Sequence, residues 1–288
     1  MADLFLAPFS DFEFMRRALV GAIAIALGGG PVGVFLMLRR MSLTGDAMAH
    51  AILPGAAIGY LIAGLSLPAM TVGGIVAGVA VAVAAGLVSR FTALKEDASL
   101  AAFYLLSLAL GVTIVSLRGS NVDLLHVLFG TVLALDDRTL LLLASISTVT
   151  VLALALLYRP LVLECVDPTF LRSVSRAGTP THLVFLGLVV LNLVGGFHAL
   201  GTLLAVGMMM LPAAASRFWT NDITMMMLVS VAIGIVSGAG GLLLSFHAEL
   251  PAGPAIILTA GGIYGLSLVL GREGGLLRLA WPGRHLEA

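Results

Sequence analysis

Lysine is almost missing from this chain, cysteine occurs once, and charged side chains of every kind make up only 10% of the 288 residues. Each shortage excludes something. The single lysine, Lys95, is followed by Glu96, so no stretch can serve as the glycine-rich loop ending in Lys and Ser or Thr that cradles nucleotide phosphates. The single cysteine, Cys165, can make no internal disulfide and no multi-thiol zinc knuckle. With 15 basic and 15 acidic residues there is no basic excess of the kind that binds nucleic acid. H-E-x-x-H does not occur, which removes a zincin-type protease.

Apolar residues fill the space that charge leaves. They form 60% of the chain, the mean hydropathy is +1.12, and 34 glycines are spread through the apolar runs. A soluble domain carries about a quarter charged residues, so this composition predicts an integral membrane protein. A spanning helix needs about 20 apolar residues. That ruler picks out segments near 15–38, 46–65, 69–89, 98–117, 139–158, 181–197, 199–215, 223–245 and 253–271. The expected fold is one all-α polytopic bundle of about eight or nine spans over residues 1–288. Glycine runs such as "ALGGG" and "SGAGG" suit close helix contact in lipid, where apolar surface gives no association drive. The opening "MADLFLAPFSDFEF" lacks a signal peptide's basic start and reads as an interfacial segment.

Basic residues set the expected orientation. With the first helix running from outside to inside, Arg39, Arg40, Arg90, Lys95, Arg159, Arg172, Arg176, Arg217, Arg272, Arg278 and Arg284 fall on the cytoplasmic side. Only Arg16, Arg17, Arg118 and Arg138 fall outside, so the positive-inside rule places the N-terminus outside and the C-terminus in the cytoplasm. The stretch 121–137 is short and acid-flanked, and reads as re-entrant or surface helix. A polar insertion, 158–182, holds helix-start chemistry at Asp167-Pro168 and stop signals at Gly178 and Pro180. A short cytoplasmic helix there is either a docking surface or a plain connector.

One run stands out: "TGDAMAHAILPG", residues 44–55. Asp46 begins within an apolar context, where burying a carboxylate costs several kcal/mol unless it faces a cavity or a partner. His50 lies one helical turn later on the same face. Pro54 gives no N–H to the His50 carbonyl. Carboxylate, imidazole and carbonyl together suit a first-row metal ion; the same two side chains would also suit a proton relay, and Asp46 alone would suit a helix cap. His198 at the turn after the sixth span, and His247 with Glu249 in "SFHAELPAG", are candidates for receiving an ion from outside or simply face water. His126 reads as interfacial, and His182 and His285 have no assigned role. Met208, Met209 and Met210 offer soft sulfur but are more often core filler.

The blocks "GVFLMLRRMSLTGDAMAHAILPGAAIGY", "NVDLLHVLFGTVLALDD", "VDPTFLRSVSRAGTP", "GTLLAVGMMMLPAAASRF" and "SFHAELPAGPAIIL" resemble, in order, the membrane permease subunit of zinc/manganese-type ABC importers. The resemblance covers nearly the whole chain. It implies a multi-pass permease of the cell (inner) membrane, surrounded by lipid, working as a homodimer with the ion path at the dimer interface. It implies no enzyme activity and no permanently bound cofactor, with Zn(II) or Mn(II) as cargo. Cytoplasmic ABC ATPase subunits would dock around 164–178, on Asp167, Pro168, Phe170, Leu171, Arg172, Arg176 and Gly178. An extracytoplasmic metal-binding protein would deliver the ion. The family's transport-site residues map onto Asp46 and His50, with His247 as the outer histidine. Two imidazoles, one per chain, lean the expected cargo towards zinc. The alternative is a proton-coupled secondary transporter, which often shows paired inverted repeats; the G-D-x-x-x-H run has no second copy here.

Overall fold

The computed structural model describes residues 2–64, 66–92, 96–117, 135–166 and 178–277, and among them every regular element is helical. In chain order the helices are α1 Ala2–Asp11, α2 Glu13–Leu38, α3 Ser42–Ala51, α4 Leu53–Ala63, α5 Leu67–Phe91 and α6 Glu96–Leu117. They continue with α7 Asp137–Val166, α8 Gly178–Leu200, α9 Thr202–Ser216, α10 Ile223–Ala248 and α11 Ala252–Leu270. Among the described residues seven segments are long and apolar enough to cross a membrane, with α3 and α4 counted together, and α6 and α9 supply two shorter apolar helices. The nine expected segments therefore each have a helical counterpart. The stretch 118–134, with His126 and most of the expected re-entrant segment, lies outside the described residues, as does the tail from 278 with His285.

Two charge clusters measure the bundle. At one end Arg17 meets Glu13 at 2.7 Å, Asp137 at 3.1 Å and the Leu135 carbonyl at 3.5 Å. At the other end Arg39 pairs with Glu164. α2 and α7 therefore run parallel, which requires an odd number of crossings between them. A rise of 1.5 Å per residue puts the two arginines about 33 Å apart along α2, close to the thickness of a bilayer's hydrocarbon core. The other ends agree. Phe246, at the end of α10, packs on Phe12 with ring centroids 5.5 Å apart, on the Arg17 side. Trp219, just beyond α9, donates to Ser267 near the end of α11 at 2.9 Å. Asn221 bonds Glu273 at 2.8 Å, so both of those helices finish together.

α2 is the central pillar: 78% of its most apolar stretch is buried, against 28% for α7, whose Leu141 and Leu156 point outward. Helices come close on α2 because side chains are missing there. A Cβ on Gly33 would run into the Met209 carbonyl of α9. Polar glue joins the same helices: Asn192 of α8 donates to Thr150 of α7 at 2.8 Å and sits against Gly28 of α2.

Two expectations are corrected. The fifth span does not stop at 158 but stays helical through Pro160 to Val166, carrying Glu164 into the protein. Pro160 removes one backbone hydrogen bond without ending the helix, because Leu161 is fully buried and holds the next turn in the core. The turn between the sixth and seventh spans is at Gly201, where φ is +82°, so His198 belongs to the last turn of α8 instead of to a turn.

Candidate functional site

The second span is broken, and the break falls beside the pair of ionisable residues. α3 ends at Ala51, and Ile52 turns its N–H onto the His50 carbonyl. Pro54 occupies the first turn of α4, where its missing N–H leaves no helical bond unmade. In α3, the His50 carbonyl lacks the helical N–H that residue 54 would give, as Pro54 predicts, and only the Ile52 N–H turns toward it. Three contacts hold the break in place. Ser107 of α6 donates to the Ala51 carbonyl at 3.0 Å. Gly111 lets α6 approach Leu53 and Pro54, and Gly55 meets Gly73 of α5 so closely that a Cβ on either would strike the other's carbonyl.

Asp46 and His50 do share a face, as their spacing predicts. His50 Nε2 lies 3.9 Å from Asp46 Oδ1. The imidazole stacks at a tilt on Tyr104 of α6, centroids 6.1 Å apart, and its Nδ1 is buried with no hydrogen-bond partner. Nε2 is therefore the nitrogen presented beside the carboxylate. The Asp46 side chain is 64% exposed although its segment, Ser42–Ala63, is apolar enough to span a membrane. Its neighbours one turn before and further along are apolar and equally bare: Leu43 at 75%, Ile62 at 81%. One chain thus offers two side-chain ligands on an uncovered surface, and among the described residues no group of three or more His, Cys, Asp or Glu could hold a metal.

The other candidates do not join them. His247 Nδ1 donates to the Leu243 carbonyl at 2.9 Å, and both His247 and Glu249 are exposed at the Phe12 end. Glu249 caps α10 in the left-handed region, φ 52°, and its N–H bonds the Ser245 carbonyl. That helix-ending geometry accounts for its backbone, and its carboxylate remains open to water. His198 lies on the last turn of α8. Met208 and Met209 are buried core, and Met209 and Met210 approach Gly45, next to Asp46. Packing explains them.

Known proteins match the chain along nearly its whole length. The sequence pattern of the ABC 3 transport family covers residues 11–271. The chain belongs to the ABC 3 transport family. It is a membrane permease subunit of the metal ABC transporter type, and the ATP-binding subunit is a separate partner. It is 31% identical over 284 residues to "Manganese transport system membrane protein MntC" of Halalkalibacterium halodurans, covering 98% of this chain and 96% of the relative. It is 32% identical to "Manganese import system permease protein ScaB" of Streptococcus parasanguinis, over 94% of this chain and 95% of that one. The solved structure of PsaBC from Streptococcus pneumoniae in complex with Fab matches with a TM-score of 0.85 at 28% identity, over 97% of this chain and 100% of that one.

The permease also contains a charged cluster that its sequence pattern hides. Arg39, at the end of α2, pairs with Glu164 near the end of α7; their side chains are only 6% and 10% exposed. Arg39 Nη1 lies 3.4 Å from His182 Nδ1 near the start of α8, and His182 lies 3.7 Å from Glu164. The guanidinium carbon stands 4.6 Å above the Phe185 ring. Glu164 looked like a loop residue because Pro160 precedes it; the usable signal was the apolar "LVLECV" that continues the helix. Of the expected docking residues, Gly178 is buried at the start of α8, and Asp167, Pro168, Phe170, Leu171, Arg172 and Arg176 lie outside the described residues.

Proposed function

We propose that this permease imports Mn(II), moving it between two copies of the chain across the face that bears Asp46 and His50. The observation that carries this is the bare carboxylate on a membrane-spanning segment flanked by bare leucine and isoleucine. Such a charge is not left against lipid; it faces a partner or water. A second copy would cover the apolar neighbours and bring the two pairs together, giving two carboxylates and two imidazoles. Partial hydration and oxygen ligands suit manganese, and the relatives bear manganese in their names. Zinc, favoured by the imidazole alone, is the competing cargo. A sparse ligand set also lets the ion leave again.

In this scheme the N-terminal end faces outside and the C-terminal end the cytoplasm. Two ABC ATPase subunits dock around 164–178, through Asp167, Pro168, Phe170, Leu171, Arg172, Arg176 and Gly178. An extracytoplasmic metal-binding protein delivers the ion near His247 and Glu249, with His198 on the same outer side.

The test is radiolabelled uptake into vesicles holding permease and ATPase subunits, with Mn(II) and Zn(II) each as competitor of the other. Asp46→Asn and His50→Ala are expected to abolish uptake while the complex still assembles. Loss of assembly would make the pair structural. Better competition by Zn(II) would reverse the cargo, and uptake that survives ATP depletion would replace this scheme with the proton-coupled one.

A further inference from the structure

We propose that Arg39, Glu164 and His182 form a buried charged joint that carries displacement of the α7 and α8 ends to the helix bearing Asp46 and His50. The proposal rests on the ATPase docking near 164–178, as above, and on the following geometry. Glu164 is two residues before the end of α7, and His182 is four residues after the first residue of α8. Both therefore stand at the roots of the segment that connects these helices. Each is tied to Arg39, which caps α2 and is separated from α3 by Arg40 and Met41 alone. Asp46 follows four residues into α3. The path from the connecting segment to the transport pair is thus one ion pair and one tight turn long.

The turn itself is stiff. The Arg40 N–H bonds the Met37 carbonyl at 3.0 Å, and the Met41 N–H bonds the Leu36 carbonyl at 2.9 Å. Leu36 and Met41 are both buried in the main core cluster. α3 therefore follows the end of α2 instead of swinging freely from it.

The chemistry of the cluster points to transmission more than to stability. Replacing a buried ion pair as a whole by apolar side chains is commonly neutral for folding, whereas removing one partner strands a charge. A charged pair holds a directional geometry: the planar guanidinium fixes both the carboxylate and the ring nitrogen, which greasy contact would let slide.

These properties separate the proposal from a structural role. In the assembled complex, Arg39→Met combined with Glu164→Met is expected to leave assembly and basal ATPase rate unchanged while Mn(II) uptake per ATP hydrolysed falls about tenfold, within the range for residues that couple two sites. Arg39→Lys keeps the charge but loses the fork, and is expected to assemble fully and uncouple in part. Unchanged uptake per ATP in the double variant overturns the joint. Loss of assembly in both variants overturns it too, by showing the cluster to be structural. An unaltered complex that neither hydrolyses ATP nor moves Mn(II) would instead overturn the transport scheme on which the joint rests.

Discussion

Two acids of the spanning segments, one bare and one buried, do opposite work. Asp46 stands bare on the protein surface beside His50, while Glu164 is enclosed with Arg39. A third acid has a purely local task. Asp136 accepts from the Thr139 N–H at 2.9 Å and from the Thr139 hydroxyl, starting α7 outside the span. These hydrogen bonds hold its carboxyl below the ordinary value of 3.8. The folded pKa is depressed, so the contribution is present above 3.8 and is lost as pH falls through the lower folded value. Amide exchange in the first turn of α7 is expected to accelerate over that acid window. Asp136→Asn, which can still cap, should remove the pH dependence, and Asp136→Ala should cost about 1 kcal/mol at neutral pH. An acid response unchanged in the Asn variant would locate the titrating group elsewhere.

At the scale of elements, the α2–α3 turn shows where local chemistry and position disagree. Its two backbone bonds form the helix-ending motif in which glycine usually takes the left-handed residue, yet Arg40 sits there with φ 58°. A side chain in that conformation costs about 1–2 kcal/mol. Arg40→Gly is expected to raise the thermal midpoint of the detergent-solubilised permease, by about 1 kcal/mol in stability. No gain would mean that the arginine side chain recovers its strain through a contact. The break between α3 and α4 is the converse case: Pro54 marks it locally, although hydropathy reads 46–65 as one span. What Pro54 could not signal was how Ser107, Gly111 and Gly73, from two other helices, would fix the break in one geometry.

The whole molecule has a lipid-facing side and a side that asks for cover. Leu156 is 83% exposed on α7 and Ile62 is 81% exposed on α4, but only the second shares its span with the bare Asp46 beside His50. In a Cys165→Ser background, Leu43→Cys or Ile62→Cys is therefore expected to give a dimer-sized product with a short bis-maleimide in native membranes. Leu156→Cys should give none. Cross-linking at Leu156 and not at the other two would move the interface to α7 and leave Asp46 without its proposed mate.

Hydropathy by itself determined the helical class, the nine apolar segments and the Asp46–His50 face, because span length and the four-residue repeat are local properties of the chain. Only the tertiary structure decided that α7 would run on past Pro160 and that Arg39 would find Glu164 and His182. Those outcomes depend on which helix ends meet across the bundle. Such meetings join residues more than a hundred positions apart, where neither periodicity nor spacing carries information.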